Sequence, residues 1–177
     1  GPWNRAVALN VAARAATATH LCAIDADTLF AHPGVLADLV AAIREDPTSL
    51  WLAECWDVRQ REGVFRVGPP HGRQGMGGCA VLARGCLTDL RGWDEAYTHW
   101  GAEDADLAAR VLRLGRAVRW WDSATATPLV WTWRNEGGPD PTATPDGAAA
   151  VAVNQARFRT SATLPVARNP KAWGGQP

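Results

Sequence analysis

Residues 92–115 read GWDEAYTHWGAEDADLAARVLRLG. Leu107, Val111 and Leu114 recur at helical spacing and Gly115 closes the run, so the spacing predicts a helix over 103–115. Its first turn holds Glu103, Asp104 and Asp106, directly behind Trp100 and Gly101. Acids in a first turn complement the helix dipole, and Asp106 with Arg110 makes an i, i+4 pair. Three acids behind a Trp-Gly step exceed what a cap requires. An aromatic face beside carboxylates suits a sugar: the ring covers the C–H face and the carboxylates take hydroxyl hydrogen bonds. A carboxylate touching a hydroxyl can also act as general base. The helix dipole keeps such a group ionised and weakens it as a base, so it needs a partly buried setting.

Upstream, residues 19–34 read THLCAIDADTLFAHPG, with Asp25 and Asp27 at the end of an apolar run. Two carboxylates at i and i+2 leaving a strand can reach one hard cation, with water and substrate phosphates completing its shell. The plain alternative is a turn, with Asp27 capping the next segment.

Around these clusters, residues 4–18 carry Val7, Val11 and Ala15 at four-residue steps, which predicts an amphipathic helix. A strand follows over 20–25. Pro33 opens a second helix with Val35, Leu36, Leu39, Val40 and Ile43 on one face, closing near Asp46-Pro47. SLWLAECWDV and GVFRVG read as strands, and 68–78 is a Gly/Pro-rich loop, either a connector or a lid. A strand and short helix follow in CAVLARGCLTDLRG. AVRWWD and PLVWTW are further strands, 148–158 is a helix, and 161–177 a tail. Helices alternating with strands imply an α/β sandwich with a mostly parallel sheet, where ligands gather beyond the carboxyl ends of strands.

Composition narrows the function. A chain of 177 residues with 47% hydrophobic and 20% charged content suits one globular domain. Eighteen basic and 18 acidic residues cancel, so no broad field steers it to nucleic acid or anionic lipid. Arg110, Arg113, Arg116 and Arg119 read as a solvated face rather than a phosphate track. No apolar stretch approaches a membrane span. Cys22, Cys55, Cys79 and Cys86 lack CxxC spacing and read as reduced packing residues, which implies a cytoplasmic protein.

The Asp-Ala-Asp at a strand end, followed by GGCAVLARGCLTDLRGWDEAYTHWGAEDADLAARVLRLG, resembles the catalytic half of glycosyltransferases with the GT-A fold. The resemblance is closest to family 2 and to the galactosyltransferase-type C-terminal region, and covers roughly residues 4–121. It implies a Rossmann-like nucleotide-diphospho-sugar transferase sandwich over residues 1–160. It further implies hexosyl transfer from a UDP- or GDP-sugar to a saccharide or other hydroxyl acceptor, inverting and assisted by Mn2+ or Mg2+. By the same resemblance Asp27 binds the ion and Asp25 the ion or ribose. Asp104 takes the acceptor's proton, and Glu103, Trp100, Gly101 and His99 hold the acceptor. Arg5 and Asn10 match an Arg-Asn-x-Gly-like segment near the nucleotide.

The sequence departs from that family twice. Only 24 residues precede Asp25, so part of the nucleotide-binding half is expected to be missing or supplied by a partner chain. No histidine follows His99 to serve as a further metal ligand. Asp122, Asn135 or Glu136 could substitute. Two other functions stay open: a non-catalytic sugar- or nucleotide-binding domain, and a nucleotidyltransferase with a two-acid metal site.

Overall fold

The computed structural model describes residues 4–61, 64–70, 78–121, 130–134, 144–170 and 173. The candidate third metal ligands Asp122, Asn135 and Glu136, and most of the loop at 68–78, lie outside them. In chain order the elements are α1 (Arg5–Ala15), β1 (His20–Ile24), β2 (Thr28–Phe30), α2 (Val35–Glu45), β3 (Leu50–Ala53), β4 (Cys55–Arg61) and β5 (Val64–Pro70). They continue with β6 (Cys79–Ala83), α3 (Arg84–Leu90), α4 (Glu103–Arg113), β7 (Val118–Trp121), β8 (Val130–Arg134) and α5 (Pro145–Thr160). The chain divides into two compact units.

The first unit comprises Gly1–Leu21, Ala83–Ala117 and Pro139–Pro177 and holds α1, α3, α4 and α5. Asn4 caps α1 by accepting from the Val7 amide at 3.0 Å. The buried face of α1 is Ala6, Asn10 and Ala13, whereas Val7 and Val11 are 37% and 44% exposed. The apolar stripe in the sequence therefore marks the wrong face, because the inward residue is polar and its alanine neighbours are small. α5 starts with Thr144 accepting from the Gly147 amide at 3.1 Å and Pro145 in the first turn. It is longer than the sequence suggests at both ends.

The segment after α5 reads as a tail but packs into this unit. Ser161, Asn169 and Trp173 are buried. Arg14 donates to the Trp173 carbonyl at 3.0 Å and its guanidinium lies over the indole. Apart from Trp173, polar residues do this packing, so no hydrophobic period announces it.

The second unit comprises Cys22–Leu82 and Val118–Gly138. It contains a four-stranded sheet of order β1-β6-β3-β7, whose β1 and β6 reach the unit boundary, and another of order β2-β8-β4-β5. β3 pairs parallel with β7 and β4 with β8, while β3–β6, β4–β5 and β2–β8 are antiparallel. The α/β sandwich is thus built on mixed sheets where the sequence suggested a mostly parallel one. The single strand expected in SLWLAECWDV is two, parted at Glu54 and assigned to different sheets. Val35 and Leu39 of α2 pack on Ala53, Cys55, Cys79, Val81 and Trp121 to make the core. After α2, Asp46 accepts from Ser49 Oγ at 2.7 Å and Arg119 Nε at 2.9 Å. The Ser49 bond first, then Arg119, lower its pKa to about 2.

Candidate active site

In the second unit β1 delivers Asp25 and Asp27 to a turn. The Asp25 amide donates to the Gly78 carbonyl at 3.1 Å, and the Thr28 amide donates back to the Asp25 carbonyl at 3.0 Å. The backbone turn is therefore real, and it leaves Asp25 half-buried and Asp27 exposed. Thr28 Oγ1, next in the chain, is buried without a hydrogen-bond partner among the described residues. Carboxylate and hydroxyl oxygens are the donor type hard divalent ions take. Among the described residues no group of three or more His, Cys, Asp and Glu is placed to share a metal. All four cysteines are free thiols; Cys55, Cys79 and Cys86 are buried, as expected of packing residues, whereas Cys22 is exposed.

In the first unit the turn into α4 is left-handed at three places: His99 at φ 60°, Gly101 at φ 101° and Ala102 at φ 74°. Only glycine adopts that region without cost, so His99 and Ala102 are held there by their surroundings. Trp100 stands 50% exposed between them.

The three acids behind this turn part company. Asp106 points inward and is 0% exposed, as is Arg110, whose Nε donates to Asp106 Oδ2 at 2.7 Å. The i, i+4 pair is present, but Arg110 is not on a solvated face. Its Nη1 donates to the Gly92 and Leu90 carbonyls at 2.9 and 3.2 Å. Ser161 Oγ and Arg168 Nη2 donate to the other Asp106 oxygen, the latter at 3.2 Å. Arg168 Nε also lies 3.5 Å from Asp94 Oδ2, which Arg157 grips through Nη2 at 2.7 Å. Three guanidiniums and two carboxylates thus alternate beneath the turn.

Glu103 and Asp104 lie on Arg5. Its Nη1 donates to both Asp104 oxygens, at 3.0 and 2.8 Å, and to Glu103 Oε1 at 3.2 Å. The buried Trp93 places its indole Nε1 3.3 Å from Asp104 Oδ1. Burial, and then the neighbouring Asp104 charge, push the Glu103 carboxyl above its ordinary range, with Arg5 acting against both.

Arg5, expected near a nucleotide, bridges Glu103 and Asp104 in this structure, and Asn10, expected beside it, holds the loop at Trp93 and Glu95. Asn10 is 0% exposed. Its Nδ2 donates to the Trp93 carbonyl and Glu95 Oε1, and its Oδ1 accepts from the Trp93 amide at 2.8 Å. Both polar atoms of its side chain are thus engaged within the protein. A Cβ on Gly92, at φ +78°, would lie 2.3 Å from Asn10 Oδ1, so glycine is required where Asn10 locks the loop.

Sequence reasoning missed Trp93 as a partner of Asp104, and the whole supporting layer of Asp94, Arg157, Arg168 and Asn169. Asn169 Oδ1 accepts from the Glu95 amide at 3.0 Å. The adjacent Arg168 and Asn169 in a segment read as a tail were the available signal.

Residues 68–129 match a family model described as the N-terminal domain of galactosyltransferase. No curated protein sequence matches the chain. Among solved structures the chain resembles GalNAc-T7 with UDP, GalNAc and Mn2+, at TM-score 0.59 and 16% identity over 92% of this chain. It also resembles the mannosyltransferase PcManGT from Pyrobaculum calidifontis in complex with GDP-Man and Mn2+, at TM-score 0.50 and 18% identity over 90% of this chain. It spans 38% of the first and 52% of the second. At such identities the likeness speaks for architecture: the chain carries the GT-A fold of the glycosyltransferases.

Proposed function

We propose that this chain is the metal- and acceptor-side portion of a glycosyltransferase that moves a hexose from a nucleoside-diphosphate donor to a hydroxyl acceptor with inversion. The observation that carries the proposal is the Arg5-bridged pair Glu103 and Asp104, set at the start of α4 after a half-exposed Trp100. A core salt bridge would not need a second carboxylate raised by burial, and a surface cap would not be buried.

Asp104 accepts the proton of the acceptor hydroxyl as that oxygen forms a bond to the anomeric carbon. The bond from that carbon to the diphosphate breaks, and the nucleoside diphosphate leaves with the electron pair. Arg5 and Trp93 fix the direction of the Asp104 oxygens, which is what a proton transfer requires. Trp100 covers the apolar face of the acceptor sugar, and Glu103 and His99 take neighbouring hydroxyls. Asn10 acts behind them as a brace. Asp27 and Asp25 hold a Mn2+ or Mg2+ ion, to which the turn's oxygen donors are suited. When bound, that ion neutralises charge on the diphosphate.

A second reading, a sugar- or nucleotide-binding module without turnover, is favoured by Arg5, whose Nη1 occupies both Asp104 oxygens at 3.0 and 2.8 Å. Calorimetric titration with UDP and with GDP, each with and without Mn2+, tests the donor side. We expect metal-dependent binding of one nucleotide and its loss in Asp27→Asn. Equal binding by Asp27→Asn would remove that residue from the site, and binding without any release of nucleoside diphosphate from sugar donors would favour the module.

A further inference from the structure

Helix α5 reaches the turn before α4 through Asn154. This residue is 1% exposed, and its Nδ2 donates to the Thr98 carbonyl at 2.8 Å and to the Trp100 carbonyl at 3.0 Å. Those carbonyls flank His99, the residue at φ 60°. Two acceptors fix the orientation of the amide, since a flipped group would set its oxygen against both carbonyls. Asn154 Oδ1 is then buried without a partner among the described residues, and so is His99 Nδ1. Leaving an amide oxygen unpaired inside the protein costs stability. A leucine would fill the same space without that cost. What leucine cannot do is bond both sides of a left-handed residue and so set the direction in which Trp100 leaves the turn.

We propose that Asn154 is a positioning residue for acceptor binding: its amide locks residues 98–100 so that Trp100 is presented in one orientation. This rests on the glycosyltransferase reading of the site. The effect falls on the acceptor, because both bonds of the amide go to the carbonyls on either side of His99, in the turn that carries Trp100.

The test compares wild type with Asn154→Leu in two measurements. The first is amide hydrogen exchange over residues 97–102. The second is the initial transfer rate with a UDP- or GDP-hexose donor and a panel of methyl glycosides as acceptors. Exchange over 97–102 should quicken while α4 keeps its protection. The half-saturating concentration of the methyl glycoside should rise about tenfold, the equivalent of losing two neutral hydrogen bonds. Donor half-saturation and donor hydrolysis by water should stay as in wild type. Unchanged exchange over 97–102 overturns the proposal, as does a donor half-saturation that rises as much as the acceptor's. Should wild type transfer no sugar, the enzymatic reading fails, and the exchange result alone still decides whether Asn154 locks the turn. Asn154→Ala, which removes both donors without burying a charge, serves the same test if the leucine variant does not fold.

Discussion

Asp106→Asn keeps the shape of a fully buried side chain and removes its charge, so it isolates the electrostatics beneath the acidic turn. Asp106 receives Arg110 Nε at 2.7 Å, Arg168 Nη2 at 3.2 Å and the Ser161 hydroxyl. All three are donors, so an amide in its place must aim an N–H at a guanidinium or a hydroxyl. Arg110, 0% exposed, would be left without its carboxylate. Removing one partner of a buried pair costs about 3–5 kcal/mol. At about 2–4 °C per kcal/mol for a chain of this size, Tm should fall on the order of 10 °C. Circular dichroism melts, checked by urea titration, measure it. The control is Asp89→Asn, which breaks the exposed pair with Arg116 at 2.9 Å and should cost no more than about 1 kcal/mol. If the two variants melt within a degree or so of each other, the buried chain of charges does not hold this unit together.

Gly92→Ala should cost about 3 kcal/mol, because a Cβ would meet Asn10 Oδ1 at 2.3 Å and the residue sits at φ +78°; a melt within 2 °C of wild type would contradict this. Glu103→Gln should stabilise the protein at pH 7. The Glu103 pKa is raised on folding, so its contribution is complete below the unfolded carboxyl value and is lost as pH rises through the folded one. The advantage of the glutamine variant should shrink steadily as melts are taken down to pH 4, and a constant or reversed difference would show that Glu103 is not strained by burial.

The parts of this fold that the sequence disclosed are those built on apolar period. Helix α4 follows from Leu107, Val111 and Gly115, and the aspartate pair sits at the end of an apolar run that is indeed β1. What escaped was built from polar side chains. Val7 and Val11 promised the inner face of α1, yet Asn10 occupies it, because three hydrogen bonds to Trp93 and Glu95 outweigh a small apolar stripe. Arg110 looked like one of a solvated series and is instead sealed between Asp106 and two carbonyls. Residues 161–170 lack hydrophobic period, but Arg168 and Asn169 tie them to Asp94, Asp106 and Glu95. Glu103, Asp104 and Asp106 stood out in the sequence as three acids together, and the structure sends Asp106 inward to Arg110 while Glu103 and Asp104 share Arg5. Their common partner Arg5 lies 98 positions from Glu103, and no local pattern links residues so far apart.

The chemistry itself is tested most directly by product analysis. Wild type and Asp104→Asn would be incubated with UDP- and GDP-hexoses, Mn2+ and methyl glycosides, and the released nucleotide and the new linkage identified by NMR. The account predicts nucleoside diphosphate and an inverted glycosidic bond from wild type. It predicts a loss of about a hundredfold or more in rate for Asp104→Asn, with donor binding retained. Release of pyrophosphate, or an Asp104→Asn variant as active as wild type, would contradict it.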